Sequence, residues 1–170
     1  MKRKIKLVYL FIAFSVLFIM SCTKEGPEGP PGQDATVYYS EWLSPAAWSG
    51  KPGDWYFEAD APDLTEDIVE GGVILAYVWL EGDLYEGSTV RPLPASAVGA
   101  NWSFLLYQYG SIEFTCEMIS EPATAGNNFR YIAIPGTLTA LKSASSSSIS
   151  EQELRTMPYQ DVCRLLNIPE

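Results

Sequence analysis

Three thiols, five indoles and a run of carboxylates are the side chains of this 170-residue chain with chemistry to offer, and histidine is absent. Without an imidazole there is no Ser-His-Asp or Cys-His catalysis, no HExxH zinc site and no facial triad. GxSxG, P-loop and GxGxxG patterns are missing as well. Among 21 acidic residues nothing singles out a carboxylate pair for glycoside hydrolysis. The expectation is a protein that is not an enzyme, with no cofactor and no metal.

The expected role is binding or structural, with a carbohydrate-binding or carbohydrate-active surface module as the alternative. Asp54, Glu58, Asp60, Asp63, Glu66, Asp67 and Glu70 form the densest acidic stretch. Calcium takes six to eight oxygens, but no D-x-[DN]-x-[DN]-G loop is present, and caps and solvated strand positions account for most of these acids. Cys116 and Cys163 lack CxxC spacing; they either bridge the tail to a hairpin or sit apart as buried thiols. Trp55, Trp79 and Trp102 read as core. Trp42 and Trp48, flanking and within the Ser/Pro/Gly-rich segment 44–53, read as an exposed pair on which a sugar ring could stack.

These groups hang on a chain with a clear address. Lys2, Arg3, Lys4 and Lys6 precede an uncharged run from Leu7 to Met20, whose one polar residue is Ser15. That run is shorter than the about 20 residues of a membrane span and fits a signal-peptide h-region. It ends in Ile19-Met20-Ser21-Cys22, which resembles the bacterial lipobox. The resemblance implies cleavage after residue 21 and a lipid thioether on Cys22, usually with an N-acyl chain, which ties the protein to the membrane. Each buried CH₂ adds about 0.8 kcal/mol, so several acyl chains anchor permanently. Loss of residues 1–21 takes four of the 11 basic residues and none of the 21 acidic ones, leaving a formal charge of −14. Such a surface is repelled by anionic headgroups and by nucleic acid.

Next come three Gly-X-Y triplets, Gly26-Pro27-Glu28, Gly29-Pro30-Pro31 and Gly32-Gln33-Asp34. They look like collagen, where only Gly fits the axis of three polyproline-II chains. Three triplets are few for a triple helix, so the expectation is a monomer on an extended spacer, with trimerisation as the alternative. Residues 23–35 would reach roughly 40 Å at about 3.1 Å each. A lipobox, a few Gly-Pro triplets and an acidic aromatic domain together resemble uncharacterised collagen-like lipoproteins of Gram-negative bacteria. The tail, Tyr159-Gln160-Asp161-Val162-Cys163 running into Asn167-Ile168-Pro169-Glu170, adds to that likeness. The resemblance implies an outer-membrane lipoprotein, periplasmic or surface-exposed, and no defined activity; a glycan or an envelope protein is the expected partner of the domain. Lys24-Glu25 looks somewhat like the charged signals that send lipoproteins to the surface.

Residues 36–142 carry the domain. Short aromatic and β-branched runs are separated by Gly, Pro and Asn. Thr36–Leu43 is a first strand, and Asp54–Asp60 alternates, with Trp55, Phe57 and Ala59 on one face. Val73–Leu80 is apolar on both faces and reads as central. Trp102–Tyr109 and Ser111–Ile119 form a hairpin about Gly110. Phe129–Ile134 follows, and residues 137–141 are a weaker strand. Asp63 to Glu66 has capping-box logic for one helical turn ending near Gly71. The expected fold is mainly β, an antiparallel β-sandwich-like domain of six to seven strands. Residues 143–170 add a Ser-rich linker and a short helical tail, with Ser150 and Glu153 as a capping box and Val162, Leu165 and Leu166 on one side.

Overall fold

The computed structural model describes residues 36–85, 89–136 and 149–170. The expectations for the signal segment 1–21, the lipidated tether 22–35, the strand at 137–141 and the Ser linker 143–148 lie outside the described residues. Among the described residues, nine strands form two antiparallel sheets. Sheet A has the order β1 (Tyr38–Tyr39), β9 (Asn127–Ile134), β4 (Val73–Leu80), β5 (Val90–Pro92). Sheet B has the order β2 (Ser49–Lys51), β3 (Asp54–Asp60), β8 (Ser111–Cys116), β7 (Ala100–Leu105), β6 (Ala95–Ala97). Among the described residues there are also three helices: α1 (Glu66–Gly71), α2 (Glu151–Thr156) and α3 (Tyr159–Leu166). Three strands that the sequence did not suggest, β2, β5 and β6, have three residues each and are too short to show alternation.

The inner faces of the sheets pack on each other. Phe57, Trp102, Ile112, Phe114 and Cys116 of sheet B meet Ile74, Ala76, Val78, Leu80, Phe129, Tyr131 and Ala133 of sheet A. At the centre Phe57, Phe114 and Phe129 have ring centroids 4.8–5.3 Å apart. Each such ring, fully buried, contributes about 1.5–3 kcal/mol. Sheet A also has its outer face covered. Val73, Leu75, Tyr77, Ile132 and Ile134 are buried there beneath Leu154 of α2 and Tyr159, Val162 and Cys163 of α3. This second cover explains why β4 is apolar on both faces, while β3, wet on one side, alternates.

Three local details depart from the sequence reading. Thr65, not Asp63, is the N-cap of α1, and its side chain makes no capping bond. The Asp63 position instead belongs to the tight turn before it, where Leu64 N–H donates to Ala61 O at 2.9 Å. The hairpin arms are shorter than expected: β7 stops at Leu105, before a turn whose Gly110 N–H donates to Leu64 O and whose Gly110 O accepts from Ala61 N–H, and β8 stops at Cys116. The first strand is only Tyr38–Tyr39, followed by an isolated bridge at Leu43. In the tail, the Ser150–Glu153 capping box forms as read: Glu153 N–H donates to Ser150 Oγ at 3.2 Å, and Ser150 N–H to Glu153 Oε2 at 2.7 Å.

Candidate functional site

The first strand carries a bulge. Tyr39 pairs with Ile132 and Leu43 with Phe129, so four steps along one segment oppose three along β9. The extra residue shifts the alternation and re-aims a side chain, as bulges do. Leu43 turns inward to the core, and Trp42 turns to the outer face of sheet A, with its ring 5.6 Å from Tyr159.

On that face the cross-strand register sets out successive rows. Pro92, Tyr77 and Arg130 lie side by side on β5, β4 and β9; the next row is Val90, Trp79 and Asn128. The eight residues of α3 span about 12 Å, whereas the eight of β4 span about 26 Å. The helices cover the apolar rows fully and the last one in part, where Val90 is buried and Trp79 half-buried. There a cleft of about 450 Å³ opens, floored by Trp79, Val90 and Asn128 and walled by Trp42, Thr89, Tyr159, Gln160 and Glu170. This size falls within the range of small-molecule sites. Asn128 Oδ1 accepts from Ser44 Oγ at 2.5 Å, which holds the amide in place, and the same amide carries two N–H donors.

Behind the cleft is a residue the sequence did not point to. Arg130 is only 2% exposed, and it takes part in no ion pair among the described residues. Its guanidinium donates to Ser40 O at 2.8 Å, to Pro169 O at 2.9 Å and to the Tyr159 hydroxyl. It lies 5.0 Å from the Tyr39 ring centroid and 5.9 Å from those of Trp42 and Tyr159. Carbonyls, a hydroxyl and π-faces thus replace a carboxylate partner. By binding residues 40 and 169 at once, Arg130 joins the entering chain to the tail and fixes two walls of the cleft. Burial pushes the Tyr159 hydroxyl up to about 12, so it remains a neutral donor and acceptor. Only the surrounding alternation of NNFRYIAI, with a lone Arg at an outward position between apolar ones, could have flagged it.

The aromatic pair read from the sequence is corrected. Trp48 is buried, 6% exposed, not exposed. It closes the sandwich against Phe57 at 5.3 Å, Phe129 at 6.1 Å and Trp102 at 6.2 Å, and its indole N–H donates to Ala123 O at 3.3 Å. Trp79, read as core, is half-buried and lines the cleft with Trp42 instead. Cys116 and Cys163 are both free and buried. They lie in the cores on opposite sides of sheet A, a separation of sheet thickness that a bridge cannot span. Burial raises both thiols, that of Cys116 to about 11, which disfavours the nucleophilic thiolate.

The acids of the 54–70 stretch do not converge. Glu58 accepts from Ser111 Oγ at 2.5 Å and Gln108 Nε2 at 3.2 Å, and Glu70 from the Tyr109 hydroxyl at 3.0 Å. Among the described residues no group of three or more potential ligands could hold a metal ion. A second hollow, about 490 Å³, is lined by Arg91, Ser96, Asn101 and Glu117. Its polar groups satisfy one another or a neighbour: Arg91 forks onto Asp83 at 2.6 and 2.9 Å, Asn101 donates to Glu117 at 2.8 Å and accepts from Ser96 at 2.6 Å. The Trp42–Trp79 cleft is therefore the better site for a ligand. Comparison with known proteins finds no family model, no curated protein and no solved structure that matches this chain.

Proposed function

We propose that this chain is a lipid-anchored protein of a Gram-negative cell envelope, whose β-sandwich is a non-catalytic binding domain carried on a Gly-Pro spacer. The anchor rests on Ile19-Met20-Ser21-Cys22 after a basic start and an apolar run. The spacer rests on Gly26, Gly29 and Gly32 with Pro27, Pro30 and Pro31, which favour extended polyproline II. A formal charge of −14 after cleavage keeps the domain off anionic headgroups.

The observation that carries the binding role is the partly covered last row of sheet A, where aromatic and amide side chains border a cleft. Its lining offers stacking faces and hydrogen-bonding groups but neither a thiol nor an imidazole. Binding without turnover is the chemistry such a lining supports.

Labelling of cells with palmitate, followed by membrane fractionation, tests the anchor. The wild-type chain should take up label and sediment with membranes. Cys22→Ala should take up none and accumulate as the uncleaved precursor. Equal labelling and processing in the two would overturn the anchored reading.

A further inference from the structure

We propose that the Trp42–Trp79 cleft binds a short neutral saccharide, one or two pyranose rings. This inference rests on reading the cleft as the binding site of the domain. Three features choose the ligand class. The first is shape: a cleft of about 450 Å³ accommodates one or two rings.

The second is the pairing of surfaces. A pyranose presents a flat C–H face and a rim of hydroxyls. The indoles of Trp42 and Trp79 offer apolar faces to the first, and Thr89, Asn128, Gln160 and Glu170 surround them with groups for the second. Amides and a hydroxyl both donate and accept, and the carboxylate accepts, so together they match sugar hydroxyls that also do both. A purely apolar ligand would cover the Thr89 hydroxyl and the Glu170 carboxylate and remove them from water with nothing in return.

The third is charge. Glu170 in the wall and the acidic surface of the whole chain disfavour uronates, sialylated glycans and phosphates. Arg130 keeps its positive charge behind the cleft, but its side chain is not in the lining and its guanidinium donates to Ser40, Pro169 and Tyr159, so it offers an anionic ligand no direct contact. The walls are held in advance. Trp42 is set by the bulge and packed on Tyr159, and Asn128 is tied to Ser44, so little side-chain ordering opposes binding.

The test is titration calorimetry on the full mature chain in detergent, using methyl pyranosides, neutral disaccharides, a glucuronate-containing disaccharide and tetramethylammonium as probes. A shallow site for one or two rings should bind the neutral sugars with a Kd on the order of 0.1–1 mM. Trp79→Ala should weaken that binding about tenfold or more. Thr89→Ala, a change of one hydroxyl on the rim, should weaken it about threefold while leaving the melting temperature unchanged. Neutral-sugar binding that survives Trp79→Ala in a folded protein would overturn the proposal, since the sugar would then sit elsewhere. Binding of glucuronate or tetramethylammonium alone, lost in Trp79→Ala, would overturn the ligand class and leave the cleft as the site. No heat with any probe, together with no change in melting temperature across the set, would overturn both.

Discussion

On sheet A the outward side chains Val73, Leu75, Tyr77, Ile132 and Ile134 are all buried under α2 and α3. On sheet B the corresponding face of β3 and β8 carries Tyr56, Glu58, Asp60, Glu113 and Thr115, exposed or half-exposed. Glu58 stands directly opposite Glu113 there, a like-charge cross-strand pair that a covered face would not tolerate. The same backbone pattern thus supports two surfaces of opposite character, and the difference is whether something packs on it. Function follows the boundary between the two. The cleft lies where the cover on sheet A ends, so its floor is still apolar while its rim is wet.

A charge placed under the cover should break the contrast most severely. Val162 is fully buried between α3 and sheet A. Val162→Asp should lose more than about 4 kcal/mol in urea unfolding, because the carboxylate has no partner there. Tyr56→Ser on the bare face, by comparison, should stay within about 1 kcal/mol. A loss of equal size in both would mean that the bare face is covered as well.

A smaller effect is expected at Arg130. Arg130→Met keeps much of the side-chain volume but leaves the carbonyls of Ser40 and Pro169 without this donor. The expected loss is about 2–3 kcal/mol, with faster amide hydrogen exchange in α3 than in β3. A stability equal to wild type would show that the ring contacts alone hold the tail.

The smallest effect concerns the bare face. Burial, then Glu58 and Asp54, hold the Glu113 carboxyl above its ordinary range. Its folded pKa therefore exceeds its unfolded one, and the folded state binds more protons between the two. That contribution to stability is complete below about pH 4.3, the ordinary Glu value, and is lost as pH rises through the folded pKa. Glu113→Gln should remove this slope and stabilise the protein by a few tenths of a kcal/mol at neutral pH. An unchanged pH profile in the variant would place the repulsion elsewhere.

β3 and β4 were legible with their boundaries because each obeys one simple rule, alternation for a half-wet strand and continuity for a strand covered twice. The tail was legible through Ser150 and Glu153, whose bonds are local. The tryptophans were not. Trp48 stands in a Ser/Pro/Gly-rich segment that reads as surface, yet it folds over the open end of the sandwich onto Phe57 and Trp102. Trp79 stands near the end of an apolar strand that reads as core, yet it is only half-buried and lines the cleft beside the start of α3. Neither outcome is decided within a local window.

Local interactions, then, were fixed by the sequence alone: the β class, the two best strands, the capped tail and the absence of any histidine-based chemistry. Each depends on residues within a few positions or on composition. Tertiary structure decided which aromatic side chains share the cleft and where Arg130 finds its partners. Trp42, Trp79, Asn128 and Tyr159 come together through the register of β9 on β4, a bulge in the entering chain and the length of α3. Side chains 31 to 117 residues apart leave no shared periodicity in the sequence, because the free energy that brings them together is buried area summed over the whole fold.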